Sequence, residues 1–310
     1  MTGMQKQAGL ANGAGYGDTF AGFHPFINLL YFTAVIGFSM FFTHPVCLAV
    51  SVLCAFSYSV YINGRKIVRF SLIYMLPTLI ITALLNPAFN HAGGTILAYM
   101  PNGNPLTLES VLYGVAAAVM LITVIFWFTC FNEVMTSDKL VYLFGRVIPA
   151  LSLILSMALR FVPRFKAQMK VISNAQKCIG RDVSNGNLFL KAKHGAKILS
   201  VLVTWATENA IETADSMKAR GCGLPGRTAF SIFRFDRRDL FALIYILACS
   251  AGVIGGALTG AYQFRYFPTV KGSWTGAAVF VFAAYFALCL FPIIVNIKED
   301  IVWRSTESKT

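Results

Sequence analysis

The densest chemical signal in the chain lies between residues 207 and 228. It holds Glu208, Glu212 and Asp215, then Ala219-Arg220-Gly221, then the run Gly221-Cys222-Gly223-Leu224-Pro225-Gly226-Arg227-Thr228. That run has the spacing of a phosphate-binding loop, GxxxxGK[ST], whose backbone N–H groups cradle phosphates while a lysine reaches the outer ones. Two features exclude this chemistry. Arg227 stands where the lysine is required. The periodicity also predicts a helix before the loop, so the negative end of a helix dipole faces it, whereas phosphate needs a helix N-terminus. What remains is a helix stopped by glycine.

The three acids are spaced by four and three, which places them on one helix face. Three carboxylates on one helix without histidine rarely close a coordination sphere, so no metal site is assigned. Only Asp215 has a base three or four residues on, Lys218. Either the stripe is a solvated face, or its partners lie on a neighbouring helix. Lys166 and Lys170 are the natural partners, and they would clamp the two helices together. The four histidines, 24, 44, 91 and 194, sit in no serine, aspartate or metal pattern. The seven cysteines (47, 54, 130, 178, 222, 249 and 289) form no CxxC pair, and five lie in apolar runs as small fillers. Nothing points to chemistry performed by this chain.

One pattern repeats. Lys177-Cys178-Ile179-Gly180 ends one predicted helix, and Lys218-Ala219-Arg220-Gly221 ends the next, 41 residues later. Glycine suits the left-handed residue after a helix, and a cation in the last turn suits the helix dipole. Ordinary capping accounts for both ends locally.

The elements that carry these residues are those of a membrane protein. The 310 residues are 56% apolar and 13% charged, against roughly 25% charged in soluble domains. Six apolar stretches long enough to span are expected at 26–43, 46–62, 70–85, 109–132, 239–262 and 274–297. Pro77 is expected to kink the third. In the fifth, Gly252, Gly256 and Gly260 lie four apart, a small-residue stripe for close helix packing. The net charge of +13 is concentrated: residues 160–238 hold fifteen Lys and Arg against five acids. A basic block beside spans reads as positive-inside topology, not as a nucleic-acid surface, and the loop 86–108 has no Lys or Arg. Placing every basic segment on one side makes 140–162 a non-spanning, half-buried helix. It is followed by a helix opened by Pro163 and running to 180, a turn at 182–187, and a long helix from 188 to 220. The first 22 residues, polar and glycine-rich, are expected to be a mobile leader. The fold class is thus an all-α polytopic membrane protein with about six transmembrane helices and a cytoplasmic helical domain of three helices at 135–238. A charged tail, 298–310, follows the last span, and both termini are cytoplasmic.

At this point the chain resembles the transmembrane T component of energy-coupling factor (ECF) transporters of prokaryotes. The resemblance runs from His24-Pro25 to the last span. It is most specific in AIETADSMKARGCGLPGRT at 210–228, and is also carried by NEVMTSDKLVYLFGRVIPALSLILSMALRFVPRF at 132–165. It implies a non-catalytic subunit in the cytoplasmic membrane, in contact with lipid and without a cofactor of its own. Two ABC-type ATPases beneath it bind ATP and Mg²⁺, and a small membrane S component captures a vitamin or trace metal. Two coupling helices would dock on the ATPases through Ala-Arg-Gly-like tips. Ala219, Arg220 and Gly221 match the second tip. At the first, Cys178, Ile179 and Gly180 take those positions, with Arg181 one residue beyond. The rival classes are a polytopic membrane enzyme acting on a phosphate-bearing or lipid substrate, and a membrane scaffold.

Overall fold

The computed structural model describes residues 18–99, 104–180, 187–222, 224, 233–260, 264–272 and 276–307. The chain divides into two compact units, 1–136 with 233–310, and 137–232.

The first unit is built on six apolar helices: α1 (Pro25–Phe41), α2 (Pro45–Asn63), α3 (Arg65–Phe89), α4 (Leu108–Val134), α8 (Arg237–Leu258) and α9 (Gly276–Glu307). Five of them, α2, α3, α4, α8 and α9, are long and apolar enough to cross a membrane. α1 is apolar but shorter, at 17 residues, about 26 Å at 1.5 Å per residue. The two His-Pro pairs start helices in the same way. Proline takes the first helical position, where its missing N–H costs nothing. The preceding imidazole Nδ1 accepts a backbone N–H, from Phe26 to His24 and from Val46 to His44, each at 3.2 Å. α3 contains a π-helical stretch, Ser71–Met75, immediately before Leu76-Pro77. A proline removes one hydrogen bond from the ladder, and a widened turn is one way a helix absorbs the loss.

The core of this unit is aromatic with polar joints. Trp127, Tyr31, Tyr58 and Tyr285 are almost fully buried. Trp127 Nε1 donates to Ser51 Oγ (3.0 Å), which also bonds Ser39 Oγ (2.8 Å), and Ser39 Oγ bonds the Tyr285 hydroxyl (3.1 Å). Within lipid such groups must be satisfied by protein, and this network does so between α1, α2, α4 and α9.

The start of the described chain corrects one expectation. Residues 18–22, expected to belong to a mobile leader, form a turn that sends Phe20 into this core. Phe20 lies on a 3₁₀ turn, Phe20–Gly22, and is wholly buried. Asp18 accepts from Tyr58 of α2 (2.9 Å) and from Asn296 Nδ2 of α9 (2.7 Å).

The connection between α3 and α4 is shorter than the loop expected at 86–108, because α3 runs to Phe89, and it carries a short antiparallel pair, β1 (Ile96–Tyr99) with β2 (Pro105–Thr107). Buried Glu109 ties it to α4 by accepting from the Thr95 N–H (3.2 Å) and hydroxyl (2.9 Å). A second pair, β3 (Phe264–Arg265) with β4 (Lys271–Gly272), lies between α8 and α9. α9 continues ten residues past the expected end of its span, to Glu307.

Of the glycine stripe, Gly252 and Gly256 lie against α9. A Cβ on Gly252 would touch Phe280 and Ala284 at 3.7 and 3.8 Å, and one on Gly256 would run into Val281 Cγ2. Gly260 is not part of the helix that presents this stripe. It lies beyond the end of α8 with φ 67° and acts as a turn residue. Another close approach, one not expected from the spacing, is at Gly114 of α4, where a Cβ would come 2.6 Å from the backbone carbonyl of Ala83 in α3. Gly256→Val is therefore expected to push α8 off α9, at about 1–3 kcal/mol for overpacking. A Cβ at Gly255 would meet nothing within 4 Å, so Gly255→Val serves as control. Heating in detergent followed by size exclusion should show an earlier loss of the monodisperse peak for Gly256→Val alone; matching curves would discount the contact.

Candidate functional site: two capped helix ends

The second unit holds three helices, α5 (Ser137–Val147), α6 (Pro149–Cys178) and α7 (Leu188–Ala219). α6 does not begin at Pro163. It begins at Pro149, and Pro163 lies inside it. Both prolines are compatible with a first helical position, but only Pro149 follows a break: Ile148 has φ −135° and ψ 89°. The stretch 140–162 is thus shared between α5 and the first half of α6.

α6 and α7 meet through rings. Phe165 packs edge-on against Trp205 with centroids 5.8 Å apart, and the Arg164 guanidinium lies 5.5 Å from the Trp205 ring centre. Ile172 and Ile198 are buried. The expected ionic clamp is not what joins them. Glu208, Glu212, Asp215, Lys166 and Lys170 are all exposed, and among the described residues no ion pair links them. Ring and cation–π contact supplies cohesion that solvated charges on long side chains do not. The apolar middle of α7 is only partly covered within the unit: Leu199 and Val203 remain 59% and 56% exposed.

The two Lys-x-x-Gly ends are the most regular feature of this unit. At the end of α7, the Gly221 N–H bonds the Lys218 carbonyl (2.9 Å) and the Cys222 N–H bonds the Met217 carbonyl (2.9 Å). These two bonds define a Schellman cap, with Gly221 left-handed at φ 75°. At the end of α6, the Gly180 N–H bonds the Lys177 carbonyl (3.0 Å) and Gly180 has φ 76°. The residues before the glycines match as well: Ile179 at φ −97°, ψ 20°, and Arg220 at φ −85°, ψ 8°. Lys177, Cys178, Ile179, Gly180, Lys218, Ala219 and Arg220 are all exposed. The echo in sequence is therefore an echo in backbone, and each end projects one side chain from an equivalent position. Arg181, and most of the glycine-rich run after Cys222, lie outside the described residues. Among the described residues no group of His, Cys, Asp or Glu suits a metal.

Fold and sequence together define an all-α polytopic membrane protein that carries a separate helical unit with two matched, exposed helix ends. Comparison with known proteins narrows this. The chain is 37% identical over 98 residues to the energy-coupling factor transporter transmembrane protein EcfT of Lactobacillus helveticus, covering 31% of this chain and 35% of that one. It is 41% identical over 93 residues to EcfT of Lacticaseibacillus paracasei, covering 30% and 35%. An uncharacterized protein of Mycoplasma pneumoniae is 30% identical over 162 residues, covering 48% and 37%. The chain thus spans little more than a third of the length of these curated relatives. No family model matches it. Over the shared third it resembles the transmembrane protein of ECF transporters.

Proposed function

We propose that this chain is the transmembrane energy-coupling subunit of an ECF-type importer of a micronutrient, a vitamin or a trace metal. Two ATP-binding cassette ATPases bind and hydrolyse ATP with Mg²⁺, and this chain carries their movement to a substrate-binding membrane S component. It holds no cofactor of its own. Residues 135–238 form the cytoplasmic coupling domain, and both termini lie on the same side, in a prokaryotic cytoplasmic membrane. The observation that carries the reading is the pair of helix ends stopped by a left-handed glycine, Cys178-Ile179-Gly180 and Ala219-Arg220-Gly221, on a chain similar to EcfT. A cap that satisfies its own carbonyls is a stiff end, suited to transmit a push. The exposed apolar side chains of α6 and α7, such as Ile154, Val162, Leu199 and Val203, suit a membrane partner or lipid.

Purification of the tagged full-length chain from its own membranes in mild detergent tests this. Two ATPase subunits and a small membrane protein are expected to co-purify, and the complex should hydrolyse ATP. A chain that emerges alone, with no ATPase at any detergent tried, would sink the reading.

A further inference from the structure

We propose that the start of α3 holds an anionic phospholipid, with Arg65, Lys66 and Arg69 on its phosphate headgroup and its acyl chains along the apolar face that follows. The inference needs only the membrane fold and goes beyond the transport reading.

The patch opens on a turn without slack. α2 ends at Asn63 and α3 begins at Arg65. Gly64 between them is left-handed at φ 57°, and its N–H bonds the Val60 carbonyl (2.8 Å). Three cations therefore stand in the first five residues of a membrane-crossing helix, and all three are exposed. Cations at that end oppose the helix dipole, and the first turn holds no acid. No Asp or Glu occurs between Asp18 and Glu109. The acids that the fold brings to this end are committed elsewhere. Asp18 accepts from Tyr58 and Asn296, and Asp300 of α9 accepts from the Tyr61 hydroxyl (2.9 Å). Among the described residues no ion pair takes up Arg65, Lys66 or Arg69.

Exposed cations on a soluble helix are simply hydrated. These differ in what lies beside them. Arg65 and Arg69 are one turn apart and Lys66 lies three residues before Arg69, so the three share a side. Leu72 and Ile73 continue that side, three and four residues past Arg69, and both are exposed. α3 is also the least covered of the five long apolar helices: 11% of its apolar stretch is buried, against 17–39% in the others. A cationic head beside an uncovered apolar strip complements a phospholipid, guanidinium and ammonium against phosphate and side-chain stems against acyl chain. An acidic protein surface would satisfy the cations and leave the strip bare.

The full-length chain, purified in non-ionic detergent, is titrated with dioleoylphosphatidylglycerol or with neutral dioleoylphosphatidylcholine. Lipid-bound chain is counted by native mass spectrometry, with size-exclusion elution as the check on folding. Phosphatidylglycerol is expected to bind about tenfold tighter than phosphatidylcholine, and to lose that advantage as salt rises. Arg65→Gln and Arg69→Gln should each weaken it about fivefold, the scale of one cation near an anionic surface, and the triple variant with Lys66→Gln about thirtyfold. Lys191→Gln, Lys193→Gln and Lys197→Gln together remove the same charge from α7 and should change binding by less than about twofold. Should the triple variant fail to elute as a single species, the two single variants decide. Equal binding of the two lipids, unchanged binding in the Arg65 and Arg69 variants, an equal loss in the α7 control, or full displacement by millimolar inorganic phosphate would each overturn the inference. So would a triple variant that keeps the lipid and sheds co-purifying ATPase, which would give the patch to an acidic protein surface.

Discussion

Replacing Arg220 with glutamate is expected to remove ATPase retention while leaving insertion and the helical fold intact. The side chain is exposed, and its backbone N–H bond to the Ser216 carbonyl (3.2 Å) does not involve the guanidinium. Its loss therefore costs the chain little on its own account. A charged hydrogen bond to a partner carboxylate is worth about 1.5–3 kcal/mol, which corresponds to roughly ten- to a hundredfold in affinity. Glutamate adds like-charge repulsion and places an acid beside the negative end of the helix dipole. Arg220→Lys keeps the charge but loses the fork geometry, and should fall between the two. The measurement is ATPase recovered per tagged chain, with elution volume and circular dichroism as controls. Full recovery and normal uptake with glutamate at 220 would remove Arg220 from the docking role.

Local signals and tertiary ones were unequally legible. The glycine stops at 180 and 221 are readable because a left-handed residue after a helix is a local demand. The His-Pro starts are readable for the same reason, though the imidazole cap shows only in three dimensions. The start expected at Pro163 is displaced because Pro149 suits a helix start equally, and the break at Ile148 favours Pro149. Gly260 continued the four-residue spacing of Gly252 and Gly256, but a glycine that packs and a glycine that stops a helix look alike in a sequence. In the sequence the acid stripe reads either as a solvated face or as a partner for lysines of the neighbouring helix. The contact instead falls to Phe165, Arg164 and Trp205, since ring contact keeps its value at a wet helix interface where exposed ion pairs do not.

The least legible element is the short turn that carries Phe20. Phe20 follows a polar, glycine-rich stretch, and nothing in that composition marks it as core. Yet it is fully buried, with ring centroids of Tyr31, Phe23, Phe291, Phe32 and Tyr58 at 5.1 to 6.4 Å. The backbone beside it is held too. The Phe20 N–H donates to Asn296 Oδ1 of α9 (3.1 Å), and Asp18 bonds Tyr58 of α2. On the following residues, Arg238 of α8 lies 4.4 Å from the Phe23 ring centre and Asp239 accepts from the His24 N–H (3.3 Å). One short segment thus joins α1, α2, α8 and α9, which are distant in sequence. Phe20→Ala is expected to cost about 3–5 kcal/mol, the range for a buried aromatic truncated to alanine, because a cavity opens among rings of α1, α2 and α9. Phe20→Leu refills most of that volume and should recover more than half of the loss. The readout is the temperature at which the detergent-solubilised chain loses its monodisperse peak, together with yield from membranes. If Phe20→Ala melts with wild type, the turn lies against the bundle without holding it, and the core must be self-sufficient among α1, α2, α4 and α9. A large loss for alanine with recovery by leucine would place the start of the described chain among the elements that hold this unit together.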